Sequence, residues 1–174
     1  MTGPTGPGPV AVLIGPPGAG KTSVGPLLAE RLGTSFRETD ADISAAAGQP
    51  VSDIFIEQGE PAFRQLEREA AARALREHGG VLALGSGAVL DPDLQHRLEG
   101  LPVVYLAADF GTVARRLGLD RPRVVIPGNP RGRLRAMLEE RRPLYEGLAT
   151  FTVKTDDLDP DELAAQIAAI IGGP

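Results

Sequence analysis

Val10-Ala-Val-Leu-Ile14 runs directly into Gly15-Pro-Pro-Gly-Ala-Gly20-Lys21-Thr22-Ser23, and that junction decides the fold. A short, continuous apolar run is the mark of a strand buried on both faces, as in a parallel sheet. The segment after it matches G-x-x-x-x-G-K-[ST] in full, and a helical pattern from Lys21 to Leu32 follows, ending at Gly33. Strand, glycine loop and helix in that order form a cradle for phosphate. Gly15, Gly18 and Gly20 let the backbone curl so that successive N–H groups, Ala19 and Ser23 among them, face an anion. The helix adds its positive end. Lys21 is placed for the β- and γ-phosphates, and the Thr22 hydroxyl for Mg²⁺. A nucleoside triphosphate is the expected ligand.

Outward from this junction the chain alternates strand and helix. Strands are expected at 35–38, 81–84, 102–106 and 151–154. Helices are expected at about 52–59 (capped by Ser52), 60–78, 91–99, 109–117, 131–148 and 159–171. On the second of these helices Phe63, Leu66, Ala70 and Ala74 read as the apolar stripe. Residues 1–9 are Gly/Pro-rich and read as a flexible leader, and 10–174 as one α/β domain with a parallel, helix-covered sheet. Residues 119–130 hold three Pro and little periodicity, which predicts a mobile loop within a lid spanning about 117–131.

Composition narrows the chemistry. The 174 residues carry a formal charge of −5, which argues against coating nucleic acid or an anionic membrane. With no Cys there is no disulfide, thiolate metal site or Cys nucleophile, and two His cannot build a His-rich metal cage. No apolar run approaches the roughly 18 residues of a membrane span, and no signal peptide is visible, so a cytoplasmic protein is expected.

The class of phosphate-loop protein follows from what else is present. The N-K-x-D and D-x-x-G motifs of GTPases are absent, and the 81–84 strand ends in Gly instead of a metal-holding Asp. A second carboxylate near the metal must then come from Glu38-Thr39-Asp40, at the carboxyl end of the second strand, where ligands of doubly wound sheets sit. Helix capping is the competing role for Asp40 and Asp42. Two arginines are oddly placed. Arg64 falls in the first turn of its helix, against the dipole. Arg141 interrupts the stripe Leu134, Leu138, Tyr145, Leu148, whereas Arg142 lies off it; an inward cation needs an anion, from a ligand or an internal Glu. Arg115, Arg116, Arg121 and Arg123 flank or occupy the loop, which could bring positive charge over a transferring phosphoryl group.

These residues together resemble shikimate kinase. The resemblance covers nearly the whole chain and rests on the phosphate loop, Thr39-Asp40, Asp53-Ile-Phe55, Gly59-Glu60, Phe63-Arg64, Leu84-Gly-Ser-Gly-Ala-Val89, Arg121-Pro122, and Arg141 ahead of Pro143-Leu-Tyr145. It implies a three-layer P-loop kinase fold with a five-stranded parallel sheet, helices on both faces and a mobile lid. The implied reaction is transfer of the ATP γ-phosphoryl group to the 3-hydroxyl of shikimate, by a monomer using Mg²⁺. In those terms Asp40 holds the acceptor hydroxyls, Arg64 and Arg141 grip its carboxylate, and Gly85, Ser86 and Gly87 offer backbone N–H groups. Lys21 and Arg121 act on the phosphates, Thr22 and Glu38 attend the metal, and Arg116 and Pro160 border the adenine. Three departures stand out: Glu38 where the family has Asp, Ser86 inside the family's triple glycine, and Arg123-Val-Val after a shortened lid approach. They leave room for a kinase of another hydroxy acid such as gluconate, or for a weakly catalytic nucleotide-binding homologue.

Overall fold

The computed structural model describes residues 8–119 and 128–172. Five strands form one parallel sheet in the order β2-β3-β1-β4-β5: β1 (Ala11–Ile14), β2 (Phe36–Glu38), β3 (Val81–Ala83), β4 (Val103–Ala107) and β5 (Phe151–Lys154). The apolar run Ala11–Ile14 occupies the centre, buried throughout. Its alternate residues face opposite layers. Ala11 and Leu13 meet Val24 and Leu28 of α1 (Lys21–Arg31) and Leu163 and Ile167 of α8 (Pro160–Ile171). Val12 and Ile14 meet Ala71 and Ala74 of α4 (Glu60–Glu77), Leu94 of α5 (Pro92–Arg97) and Tyr145 of α7 (Pro130–Leu148). Each fully buried Leu or Ile contributes about 1.5–3 kcal/mol of transfer free energy, so both faces are held. α6 (Phe110–Arg116) packs against α7 through Val113, Ala114, Leu134 and Leu138.

The elements follow the expected alternation, with four differences. A helix, α2 (Thr39–Ala47), starts at once after β2, with no loop. Neither Asp40 nor Asp42 caps it: Glu38 holds the cap position without a side-chain bond to the helix's N–H groups, and Asp42 accepts from Arg37 Nε at 2.7 Å. The next helix, α3 (Val51–Gln58), is capped by Pro50 and not by Ser52, which lies inside its first turn. β3 stops at Ala83: the Leu84 N–H still reaches Leu13 O (3.1 Å), but the Gly85 N–H turns to Thr39 Oγ1. The buried face of α4 is Phe63, Glu67, Ala71 and Ala74, rotated from the expected stripe. Leu66 and Ala70 are half-buried against the small cluster of Ile43, Ile54 and Phe63, by which α2, α3 and α4 close over the carboxyl end of the sheet. No described helix is long and apolar enough to cross a membrane. Most of the expected lid, with Arg121 and Arg123, lies outside the described residues.

Candidate active site

Residues 15–20 cross from β1 to α1 as a loop that only glycine permits at its ends. Gly15 has φ 154°, and a Cβ there would sit 2.7 Å from the Leu106 carbonyl oxygen; Gly20, with φ 108°, holds the cap of α1. Lys21 Nζ folds back and donates to Gly15 O (2.6 Å) and Pro16 O (3.0 Å). Burial pushes its pKa down to about 8, against the pull of Asp40 and Glu38. Arg116 grips the loop from outside, donating to Gly18 O (2.9 Å), Ala19 O (3.2 Å) and Thr155 O (2.9 Å). A cleft of about 520 Å³ opens over these residues; Arg116, Leu158 and Pro160 form one wall, and Thr22, Ser23 and Glu38 lie on its lining.

Thr22 Oγ1 donates to Glu38 Oε1 at 2.9 Å. A hydroxyl and a carboxylate side by side at a phosphate cradle are hard oxygen donors that fit Mg²⁺, which keeps several waters and phosphate oxygens as its other ligands. The extra methylene of Glu38 therefore still reaches Thr22. Among the described residues no cluster of three His, Cys, Asp or Glu offers an all-protein metal cage.

A second cleft, of about 580 Å³, is walled by Phe55 and Ile56 of α3, Phe63 and Arg64 of α4, and Met137 and Arg141 of α7. Asp40 and Ser86 line both clefts, so the two meet there. Oδ1 of Asp40 is buried and finds no hydrogen-bond partner among the described residues. Burial pushes its carboxyl up from the ordinary value while Lys21 pulls it down. A carboxylate so placed is a better proton acceptor than one in water.

The two sequence-selected arginines both border the second cleft, in different states. Arg64 Nη1 is 2.7 Å from Glu67 Oε1, and its guanidinium also lies 3.5 Å from Glu60. Arg141 is 8% exposed, and among the described residues no carboxylate comes within ion-pair distance of it. Its Nη1 donates to Ser86 Oγ at 3.4 Å, and the Tyr145 hydroxyl lies beside its guanidinium as well. Arg142 is exposed.

The turn after β3 is shaped by what surrounds it. A Cβ on Gly85 would meet Glu67 Oε2 (2.6 Å) and Asp40 Oδ1 (2.8 Å), and one on Gly87 would overlap the Arg64 guanidinium. Ser86, between them, carries the turn's only side chain.

A family model described as shikimate kinase matches residues 17–171. The chain belongs to the shikimate kinase family. A shikimate kinase of Thermobifida fusca (strain YX) is 56% identical over 160 residues, covering 92% of this chain and 93% of that one. One of Salinispora arenicola (strain CNS-205) is 51% identical over 163 residues, covering 94% and 98%. The solved shikimate kinase from Acinetobacter baumannii in complex with shikimate superposes with a TM-score of 0.85 at 34% identity, covering 94% of this chain and 92% of that one. A gluconokinase from Sinorhizobium meliloti 1021, at 21% identity and a TM-score of 0.60, shares the fold alone.

Within this shikimate kinase framework three residues have roles that the sequence did not assign. Glu67 is 2% exposed and ties down Arg64; burial pushes its carboxyl up, opposed by that arginine. Its one signal was the i,i+3 spacing from Arg64. Thr39, fully buried, accepts the Gly85 N–H at 3.1 Å. Tyr145 donates its hydroxyl to Ser86 O at 2.7 Å, fixing the turn from α7.

Proposed function

We propose that this protein transfers the γ-phosphoryl group of ATP to the 3-hydroxyl of shikimate, with the nucleotide over residues 15–23 and the acid in the second cleft. The observation that carries this reading is the meeting of the two clefts at Asp40, with Arg141 on the acceptor side lacking, among the described residues, a carboxylate within ion-pair distance. Arg141 supplies the countercharge a carboxylate requires, and Arg64, held by Glu67, supplies a second guanidinium. Asp40 orients the acceptor hydroxyl and takes its proton as the new O–P bond forms and the bond to the ADP oxygen breaks. Lys21 leaves the loop carbonyls for the phosphates, which offer it full negative charge. Arg121 contributes from the lid, and Arg116 and Pro160 flank the base. Thr22 and Glu38 would hold Mg²⁺, which would neutralise phosphate charge. We further place the enzyme in the cytoplasm, on its cysteine-free composition, and take it as a monomer, on its resemblance to the family.

ADP release coupled to shikimate, with a product heavier by one phosphate, is the expected result. Turnover on gluconate with none on shikimate would overturn the acceptor. Asp40→Asn removes the base while keeping the shape. Its kcat is expected to fall about 10²–10⁴-fold with the KM for ATP little changed, read by steady-state kinetics.

A further inference from the structure

Ser86 presents a hydroxyl where the neighbouring glycines present none, and its setting gives that hydroxyl a direction. The Ser86 carbonyl is fixed by Tyr145 at 2.7 Å, so the main chain of the turn does not swing to suit its side chain. Oγ lies 3.4 Å from Nη1 of Arg141 and faces the guanidinium with a lone pair. Arginine has donors only, so the Ser86 proton cannot point at it. Among the described residues nothing else accepts that proton. What remains is an O–H with no acceptor among the described residues, free to turn into the cleft beside a buried cation that has no carboxylate within ion-pair distance there. A cation and a hydroxyl donor converging on one space complement an oxyanion. Ser86 borders both clefts, but Arg141 lines only the acceptor cleft. The anion to which the pair is matched is therefore the acceptor's carboxylate and not the nucleotide's phosphate.

We propose that the Ser86 hydroxyl is a direct donor to the carboxylate of the acid substrate, acting beside Arg141 and tightening selection for an acidic acceptor. The proposal rests on the acceptor reading above and adds a contact to it. The shared chemistry, an oxyanion, also exists in ATP, and the test separates the two sources.

Ser86→Ala and Ser86→Gly are compared with the unaltered enzyme in a coupled ADP-release assay, varying shikimate and ATP in turn. Loss of one charge-assisted donor is expected to raise the KM for shikimate about ten-fold in both variants, with kcat changed less than two-fold and the KM for ATP unmoved. An unmoved KM for shikimate in either variant, a lowered one in Ser86→Gly (the signature of crowding), or a rise confined to ATP would each overturn the proposal. An unchanged KM for ATP reports that the variants are folded. Absence of turnover on shikimate in the unaltered enzyme would instead remove the acceptor reading itself.

Discussion

The nucleotide cleft is built around one unbroken run of chain, residues 15–22, with Glu38, Arg116 and Pro160 at its margins, whereas the acceptor cleft borrows side chains from α2, α3, α4, α7 and the turn after β3. The first depends on backbone curvature and is set by glycines. The second depends on how far apart in sequence Asp40, Arg64 and Arg141 are brought together, and is set by packing. Substitutions in the first should therefore act on turnover and nucleotide, and those at the arginines of the second on the affinity for the acid, while Asp40, which lines both clefts, acts on turnover.

The largest effect that would sharpen this division is that of Lys21→Ala. Its loss removes the charge that follows the transferring group, and kcat is expected to fall about 10³-fold in single-turnover measurements. A drop confined to the KM for shikimate would break the comparison. Next come the arginines. Arg141→Ala should raise the KM for shikimate about a hundred-fold, Arg64→Ala about ten-fold, because Glu67 and Glu60 already share the Arg64 charge, and exposed Arg142→Ala less than two-fold. Equal effects at Arg141 and Arg64 would show that the Glu67 pair does not divide the work. Gly87→Ala follows: its methyl displaces the Arg64 guanidinium, and a rise of about five-fold in the same KM, no more than the loss of Arg64 itself, is expected.

A pH profile is the gentlest probe. Lys21 is lowered to about 8 against 10.5 for a solvated lysine, so in the nucleotide-free enzyme its charge is lost on raising the pH through about 8. In the chain without nucleotide the ammonium is needed for capture of ATP, so kcat/KM for ATP should decline above that pH. Lys21→Arg keeps its charge and should carry the declining limb to higher pH. A flat profile to pH 10 in the unaltered enzyme would mean that burial does not depress this group.

The same division explains what could be read in advance. The strand-loop-helix junction at 10–23 is local, and its glycine spacing carries its own meaning. The inward place of Arg141 was legible too, because a helix of 19 residues displays its stripe. α2 was not legible: Thr39–Ala47 is alanine-rich, with one apolar residue, Ile43, fully inside, so no period announces it. The α4 stripe was misjudged because Glu67 takes a buried position that hydrophobicity assigns to a neighbour. Its reason lies on another element: Gly85, which has room for that carboxylate. The hydroxyl of Ser86 likewise acquires its setting from α7, across a separation of 55 residues.

Arg116 bears on more than the wall of a cleft. By holding the carbonyl oxygens of Gly18 and Ala19, it clamps two planar peptide units from the rear, and in a trans peptide the N–H points opposite to its carbonyl. The Ala19 N–H, expected from the sequence to face an anion, instead donates to Pro16 O at 3.1 Å, closing a turn within the loop. A mould stiffened in this manner loses little entropy when its guest arrives, and a single cation outside it decides how much of that stiffness survives.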